Sequence, residues 1–239
     1  MNVKFVESEK NLIVNSDVLV IALNPESQVR ILSEYNFSNK RLFLEKPLAF
    51  SLHSHQTMIE LLEKSSLDFS IGYLFEFTAW GEQLLSDHKK YSIEELVVEW
   101  RIPRPKSDWK SDNLKGGGIV KFYGIHFLHY LLGINYKLSD LIFSQSIAKV
   151  KFSDQNIEIS IEVIDNNQNS KFCINWKSGN NLRKYELETP FGRKPHEGAI
   201  DPRVGYLIKY ITSTNNVREN LRREKSLIDY FAQIKSKLN

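Results

Sequence analysis

A short parallel α/β sheet, followed by an α+β unit built on a large open antiparallel sheet flanked by helices, is the architecture this sequence predicts. Two patterns carry the prediction. Over residues 1–74, apolar runs alternate with amphipathic helical stretches. The run at residues 17–23 is apolar throughout after its leading Asp17, as in a parallel strand buried on both faces. Later, Ile157, Ile159, Ile161 and Val163 alternate with Glu158, Ser160 and Glu162, and Phe172, Ile174 and Trp176 repeat the period. A period of two marks strands with one dry and one wet face. A length of 239 residues suits one large or two modest domains. The change of style after Phe75 places the division at residues 1–74 and 75–239.

The elements follow in order. Residues 3–6 predict a short strand and residues 7–13 a short helix. After the apolar run, Asn24-Pro25 predicts a turn with Pro25 at the first helical position. Residues 26–35 then place Val29, Leu32 and Tyr35 on one helix face. Residues 41–44 predict the next strand, which ends at Glu45-Lys46-Pro47. Ser51 caps a helix whose apolar stripe is Met58, Leu61 and Leu62. Residues 69–74 close the βα alternation, and such alternation predicts a parallel sheet covered by helices. A helix over residues 80–85, a strand over 96–102 and a loop over 103–115 come next. Residues 116–132 predict a helix despite three leading glycines. A meander from residue 141 to 187 turns at residues 166–169 and 178–181. Asp201-Pro202 starts a helix, and residues 217–238 form a last amphipathic one.

Composition narrows the function classes. A net charge of +3 with scattered basic residues argues against nucleic acid and against a membrane surface. The longest apolar run is too short to span a bilayer, and the N-terminus has no apolar leader. Cys173 is the sole cysteine, so no intrachain disulfide forms. That fits a reducing cytoplasm, and a buried structural thiol is the simplest role for it. No Cys/His cluster suits a metal: His53 and His55 flank Ser54 on a helix and face different ways.

Two segments carry a family resemblance. Glu45-Lys46-Pro47 after an apolar strand, and Gly116-Gly117-Gly118 leading to His126, resemble the Gfo/Idh/MocA (glucose-fructose oxidoreductase/inositol dehydrogenase) oxidoreductases. The resemblance holds register from about Asp17 to Leu132 and is looser beyond. It implies a truncated Rossmann-like domain over 1–74. It also implies a substrate and oligomerisation domain over 75–239, with a homo-oligomer formed through the antiparallel sheet. By family the cofactor is NAD or NADP, and the ligands are sugars, inositols and sugar nucleotides, often in bacterial surface-glycan pathways.

The resemblance also assigns residues. Lys46 and His126 become the candidate catalytic pair, converging on the reacting carbon. Tyr73, Arg104, Trp109 and Tyr123 are candidate substrate contacts. Asn24, Pro25 and Glu45 are what remains of a cofactor site, and Gln28 stands where the family often has His. Arg101 and Lys106 belong to the same loop region as Arg104 and Trp109, where arginine suits phosphate and tryptophan suits stacking. Plainer roles stay open: a surface or ion-paired Lys46, a core His126, solvated loop charges and close helix packing at the glycines. His129 reads as structural, and Lys46–Pro47 is a candidate cis bond.

Two departures bear on activity. Residues 1–71 contain no glycine, so the Gly-rich turn that lets backbone N–H groups approach a pyrophosphate has no counterpart there. The simplest expectation is that about two strand–helix elements are missing ahead of Met1. The second departure is Phe122, which occupies the position four before His126 where the family has an acidic partner. A phenyl ring cannot orient an imidazole or accept its proton. Three readings follow: a cofactor-less pseudo-oxidoreductase that binds a sugar ligand or an active partner; a non-redox acid/base enzyme on a sugar nucleotide; or an oxidoreductase completed by a separate nucleotide-binding chain. No cofactor is expected to bind the isolated chain.

Overall fold

The computed structural model describes residues 8–65, 67–104, 109–134, 138–143, 147–152, 156–193, 201–212 and 217–237. The strand expected at residues 3–6 and the loop cation Lys106 lie outside them.

The chain opens with α1 (Glu9–Val14), whose N-cap Ser8 accepts a hydrogen bond from the Asn11 N–H. There follow β1 (Val18–Ile21), α2 (Pro25–Glu34), β2 (Arg41–Leu44), α3 (Leu52–Lys64) and β3 (Asp68–Ile71). The strands form a three-stranded sheet in the order β1-β2-β3, parallel throughout, with Val20 opposite Phe43 and Leu44 opposite Ile71. Both faces of β2 and β3 are covered: Leu42, Phe43, Leu44, Phe69, Ser70 and Ile71 are all buried. The edge strand β1 alternates instead. Leu19 and Ile21 are buried, while Val18 and Val20 are exposed. The continuous apolar run therefore reads as two buried faces, but only one is covered here.

The second part is α4 (Ala79–Lys90), β4 (Ile93–Pro103), a π-helical turn at Ile119–Gly124, α5 (Ile125–Gly133), β5 (Leu138–Phe143), β6 (Ile147–Phe152), β7 (Asn156–Ile164), β8 (Lys171–Ser178), β9 (Asn181–Leu187), α6 (Pro202–Thr212) and α7 (Val217–Lys237). Its six-stranded sheet runs β5-β6-β7-β4-β8-β9. The expected uninterrupted antiparallel meander is corrected in one respect. Strand β4 inserts between β7 and β8, parallel to β7 and antiparallel to β8. Period-two alternation is the same in either direction, so the pattern could not reveal this insertion.

The dry face of this sheet is Ile157, Ile159, Ile161, Phe172, Ile174 and Trp176, all buried within the chain. Trp80 and Phe127, from α4 and α5, pack their rings against Phe172. The exposed rows of the other face are charged, with Arg101 paired to Glu162 and Lys177 to Glu94. The helices cover the apolar face, and these charged pairs stand on the other. One buried cluster runs from Leu19 through both sheets to Phe231. Helix α7 is tied to α3 by a buried His55 Nε2–Glu224 Oε2 contact of 2.7 Å. His53 is exposed on the same helix, as the spacing predicts.

The helix expected over residues 116–132 is also corrected. Gly116 and Gly118 have φ of 86° and 83°, a region L side chains avoid, so the helix starts only at Ile119 and does so with the wider π spacing. A Cβ on Gly116 would stand 2.9 Å from Phe50 Cα and 3.1 Å from Pro25 Cγ. These glycines allow the chain to pack closely on itself.

Candidate functional site

A cavity of about 630 Å³ opens at the C-terminal ends of the parallel strands, between the two sheets. This is the edge at which open α/β sheets place ligands. Of the residues picked out from the sequence, Lys46, His126, Glu45, Asn24, Arg101, Trp109, Tyr123 and Phe122 line it. Gln28 and His129 do not, and neither do three of the candidate site residues. Tyr73 is buried behind the wall, stacked on His129 with ring centroids 3.8 Å apart. Arg104 is exposed beyond β4, and its backbone N–H donates to Ile164 O. Pro25 sits at the start of α2, against the Gly116 turn.

Lys46 follows β2 directly after Glu45, and Lys46–Pro47 is cis. The turn that carries it is fastened by Gln28, which is fully buried on α2. Its Nε2 donates to Glu45 O (2.9 Å) and Leu48 O (3.1 Å), and its Oε1 accepts from the Glu45 N–H (3.0 Å). One amide thus bonds three backbone groups, two of them carbonyls; the Glu45 N–H is shared with Ile21 O. The resemblance puts Gln28 where the family often has His. Its amide is spent on the turn.

The Lys46 side chain is part-buried and lines the cavity. Nζ donates to Phe122 O at 2.7 Å and sits 3.6 Å from the centre of the Phe122 ring. No ion pair to it is present among the described residues. Burial strips water from the ammonium and lowers its pKa to about 7; Glu45 opposes the shift, and Arg203 and Lys110 add to it. Burial also raises the pKa of Glu45, against the pull of Lys46 and Arg203. Glu45 Oε2 accepts from the Lys46 backbone N–H at 3.3 Å. Gly72 makes room beside it, since a Cβ there would meet Phe43 Cζ at 3.2 Å and Glu45 Oε2 at 3.4 Å.

His126 lies across the cavity on α5. Its ring stacks on Phe75 (4.7 Å, 17°) and meets Tyr73 edge-on (6.0 Å, 87°). Its Nδ1 is buried with no hydrogen-bond partner. Burial first, and then the Lys46 charge, hold its pKa well below the ordinary value, so the imidazole is neutral. No acceptor among the described residues meets its Nδ1. Phe122 offers a ring and a backbone carbonyl, and Lys46 takes both.

Several lining residues come from segments that sequence reasoning passed over. Arg203, at the start of α6, makes a two-pronged ion pair with Asp201. Phe191 is carried in by the turn closed between Thr189 and Gly192, and the Trp80 indole anchors that turn through Pro190 O at 2.8 Å. Lys110 and Arg193 add charge. Asp201-Pro202 was visible only as a helix start, and no periodicity marks the rest.

The fold family implies a dinucleotide, so the helix N-termini beside the parallel sheet are the test. Helix α1 is short and capped by Ser8, with Glu9 in its first turn. On α2, Pro25 has no N–H, Asn24 caps the Ser27 N–H, and Glu26 adds negative charge. On α3, Ser51 and Ser54 form a closed capping box. Each of these ends is capped by its own side chain, and α1 and α2 carry an acidic residue in the first turn, which disfavours a pyrophosphate there.

Solved structures share this fold. The WlbA dehydrogenase from Chromobacterium violaceum, in complex with NADH and UDP-GlcNAcA, aligns with 96% of this chain and 79% of its own at 14% identity and a TM-score of 0.72. A myo-inositol dehydrogenase from Corynebacterium glutamicum aligns over 92% and 79% at 15% identity and a TM-score of 0.67. GenD2 from gentamicin A biosynthesis, in complex with NAD, aligns over 93% and 78% at 12% identity and a TM-score of 0.67. The fold is that of the Gfo/Idh/MocA-type dehydrogenases. No protein-family model and no curated protein matches the sequence. No helix among the described residues is long and apolar enough to cross a membrane.

Proposed function

We propose that this chain is an oxidoreductase-like protein that binds a sugar or sugar nucleotide in the Lys46 cavity and does not itself transfer hydride. Residues 1–74 act as scaffold, and residues 75–239 supply most of the ligand site. The observation that carries this is the place of Phe122. Its ring covers the Lys46 amine and its carbonyl accepts a hydrogen bond from it, while His126 Nδ1 has no partner among the described residues. Neither side chain hydrogen-bonds an ionisable group among the described residues, so no direct proton relay joins the two. The aromatic walls Trp100, Trp109 and Tyr123 suit a sugar or base face, and the cations suit phosphate.

In this reading the protein serves bacterial glycan metabolism in the cytoplasm, binding no nucleic acid and holding neither NAD nor NADP by itself. Assembly as a homo-oligomer through the open sheet belongs to the same reading, and light scattering reads it out. The test of function is a nicotinamide absorbance assay with sugar nucleotide and NAD or NADP together. No change is expected, and steady turnover would contradict the reading.

A second reading has its own support. An amine with a pKa of about 7 in a cavity is poised to act as a general base near neutrality. Non-redox epimerisation or elimination would then exchange sugar protons in deuterated water, and Lys46→Met would abolish the exchange.

A further inference from the structure

We propose that Lys46 is a covalent site, where the amine condenses reversibly with the carbonyl of an anionic aldehyde or ketone of sugar-phosphate size. This rests on the reading of the cavity as a small-molecule site. Three observations outside the dehydrogenase chemistry point to it.

The first is the amine's company. Its contacts are a carbonyl oxygen and a phenyl ring, without a carboxylate in ion-pairing range among the described residues. A lysine held this way spends much of its time neutral near pH 7. When neutral, it donates one hydrogen to Phe122 O and keeps its lone pair for a reaction partner. A carboxylate in place of that ring would hold the amine charged and unreactive.

The second is Glu45. It lines the same cavity, and its carboxyl holds a proton more tightly than usual because it is largely buried. The third is the charge of the walls. Arg101, Lys110, Arg193 and Arg203 line the cavity besides Lys46, against the carboxylates Glu45 and Asp201, with Arg101 paired to Glu162 and Arg203 to Asp201; Lys46, Lys110 and Arg193 against Glu45 leave an excess of positive charge. An anionic carbonyl compound is drawn in by that excess.

The reaction balances without a further reagent. The Nζ lone pair attacks the carbonyl carbon, and the C=O pair moves to oxygen. A proton passes from nitrogen to that oxygen, giving a carbinolamine. The nitrogen lone pair then expels the hydroxyl as water, with a proton from the Glu45 carboxyl, and a C=N bond forms. Addition of water reverses every step.

The experiment treats the intact chain with pyridoxal 5′-phosphate, and separately with glyceraldehyde 3-phosphate, near neutral pH. Borohydride then fixes any imine, and peptide mass spectrometry locates it. Lys46 should be modified at least about tenfold faster than exposed lysines such as Lys177 and Lys184, whose carboxylate partners Glu94 and Glu186 hold them protonated there. The rate should rise with pH through about 7, the value at which Lys46 titrates. Phe122→Asp should slow it by more than about tenfold by holding the amine charged. Lys46→Arg, checked for native circular dichroism, should lose the label. Modification spread over exposed lysines with Lys46 untouched by both probes would overturn the proposal. If sugar nucleotides bind by calorimetry while Lys46 stays unlabelled, the covalent inference alone falls. If Lys46 is labelled but no sugar nucleotide binds, the ligand assignment falls instead.

Discussion

On one wall of the cavity, Gln28 hydrogen-bonds three backbone groups of the turn that carries Lys46. On the other, Nδ1 of His126 and both ring nitrogens of His129 are buried without a hydrogen-bond partner. The first wall fixes a backbone, so the amine is aimed into the cavity in either charge state. The second holds two neutral imidazoles by stacking, His126 on Phe75 and His129 on Tyr73, much as it would hold phenyl rings. A dehydrogenase-type relay needs both walls polar. Here one wall keeps its polar geometry, and the other serves mainly as aromatic packing.

Breaking the first wall should have the largest effect. Gln28→Leu takes the Gln28 partner from the carbonyls of Glu45 and Leu48, while the Glu45 N–H keeps Ile21 O. At about 1–3 kcal/mol for each such group, a loss of roughly 4 kcal/mol is expected in urea denaturation.

The next effect concerns Lys46 and has a defined sign. Its pKa falls from an ordinary 10.5 to about 7 on folding. Between those values the unfolded chain holds more protons, so this residue's contribution to stability rises with pH across that window. Below it, the penalty of the buried ammonium is present in full. Lys46→Met should therefore stabilise the protein by about 3 kcal/mol near pH 6, with the advantage fading toward pH 10.5. Denaturation of both proteins across that range checks the slope.

The third alters the second wall. Phe122→Asp brings a carboxylate to the amine and should raise the Lys46 pKa by more than about one unit, roughly 1.4 kcal/mol. Nitrogen-detected NMR titration of the lysine reads it directly. The smallest effect is expected for His129→Phe, which removes two unpaired nitrogens and keeps a ring against Tyr73. A melting curve should show it neutral or stabilising by less than about 1 kcal/mol.

How much of this was legible in the sequence differs between the same regions. The Lys46 side was open to reading because its signals are local. Asn24-Pro25 and Ser51 start α2 and α3 as capping chemistry dictates, and the apolar runs set the parallel strands. Phe122 was also visible, as a phenyl ring where the family has an acid. The far side is assembled from distant pieces. Arg203, Phe191 and Arg193 reach the cavity from the C-terminal third, and nothing periodic announces them. Gly116 and Gly118 were read into a helix, although their positive φ values put them before it. Tyr73 and Arg104 carry plausible side chains at positions whose backbone turns them away from the cavity.

The contrast between the walls comes down to which ligand the cavity holds. Isothermal titration of the intact chain with UDP-sugars, and separately with NAD and NADP, tests it most directly. Micromolar binding of a UDP-sugar is expected, with neither dinucleotide binding more tightly than about millimolar, near −4 kcal/mol. Micromolar binding of NAD or NADP to this chain alone, with no heat from any UDP-sugar, would contradict the account.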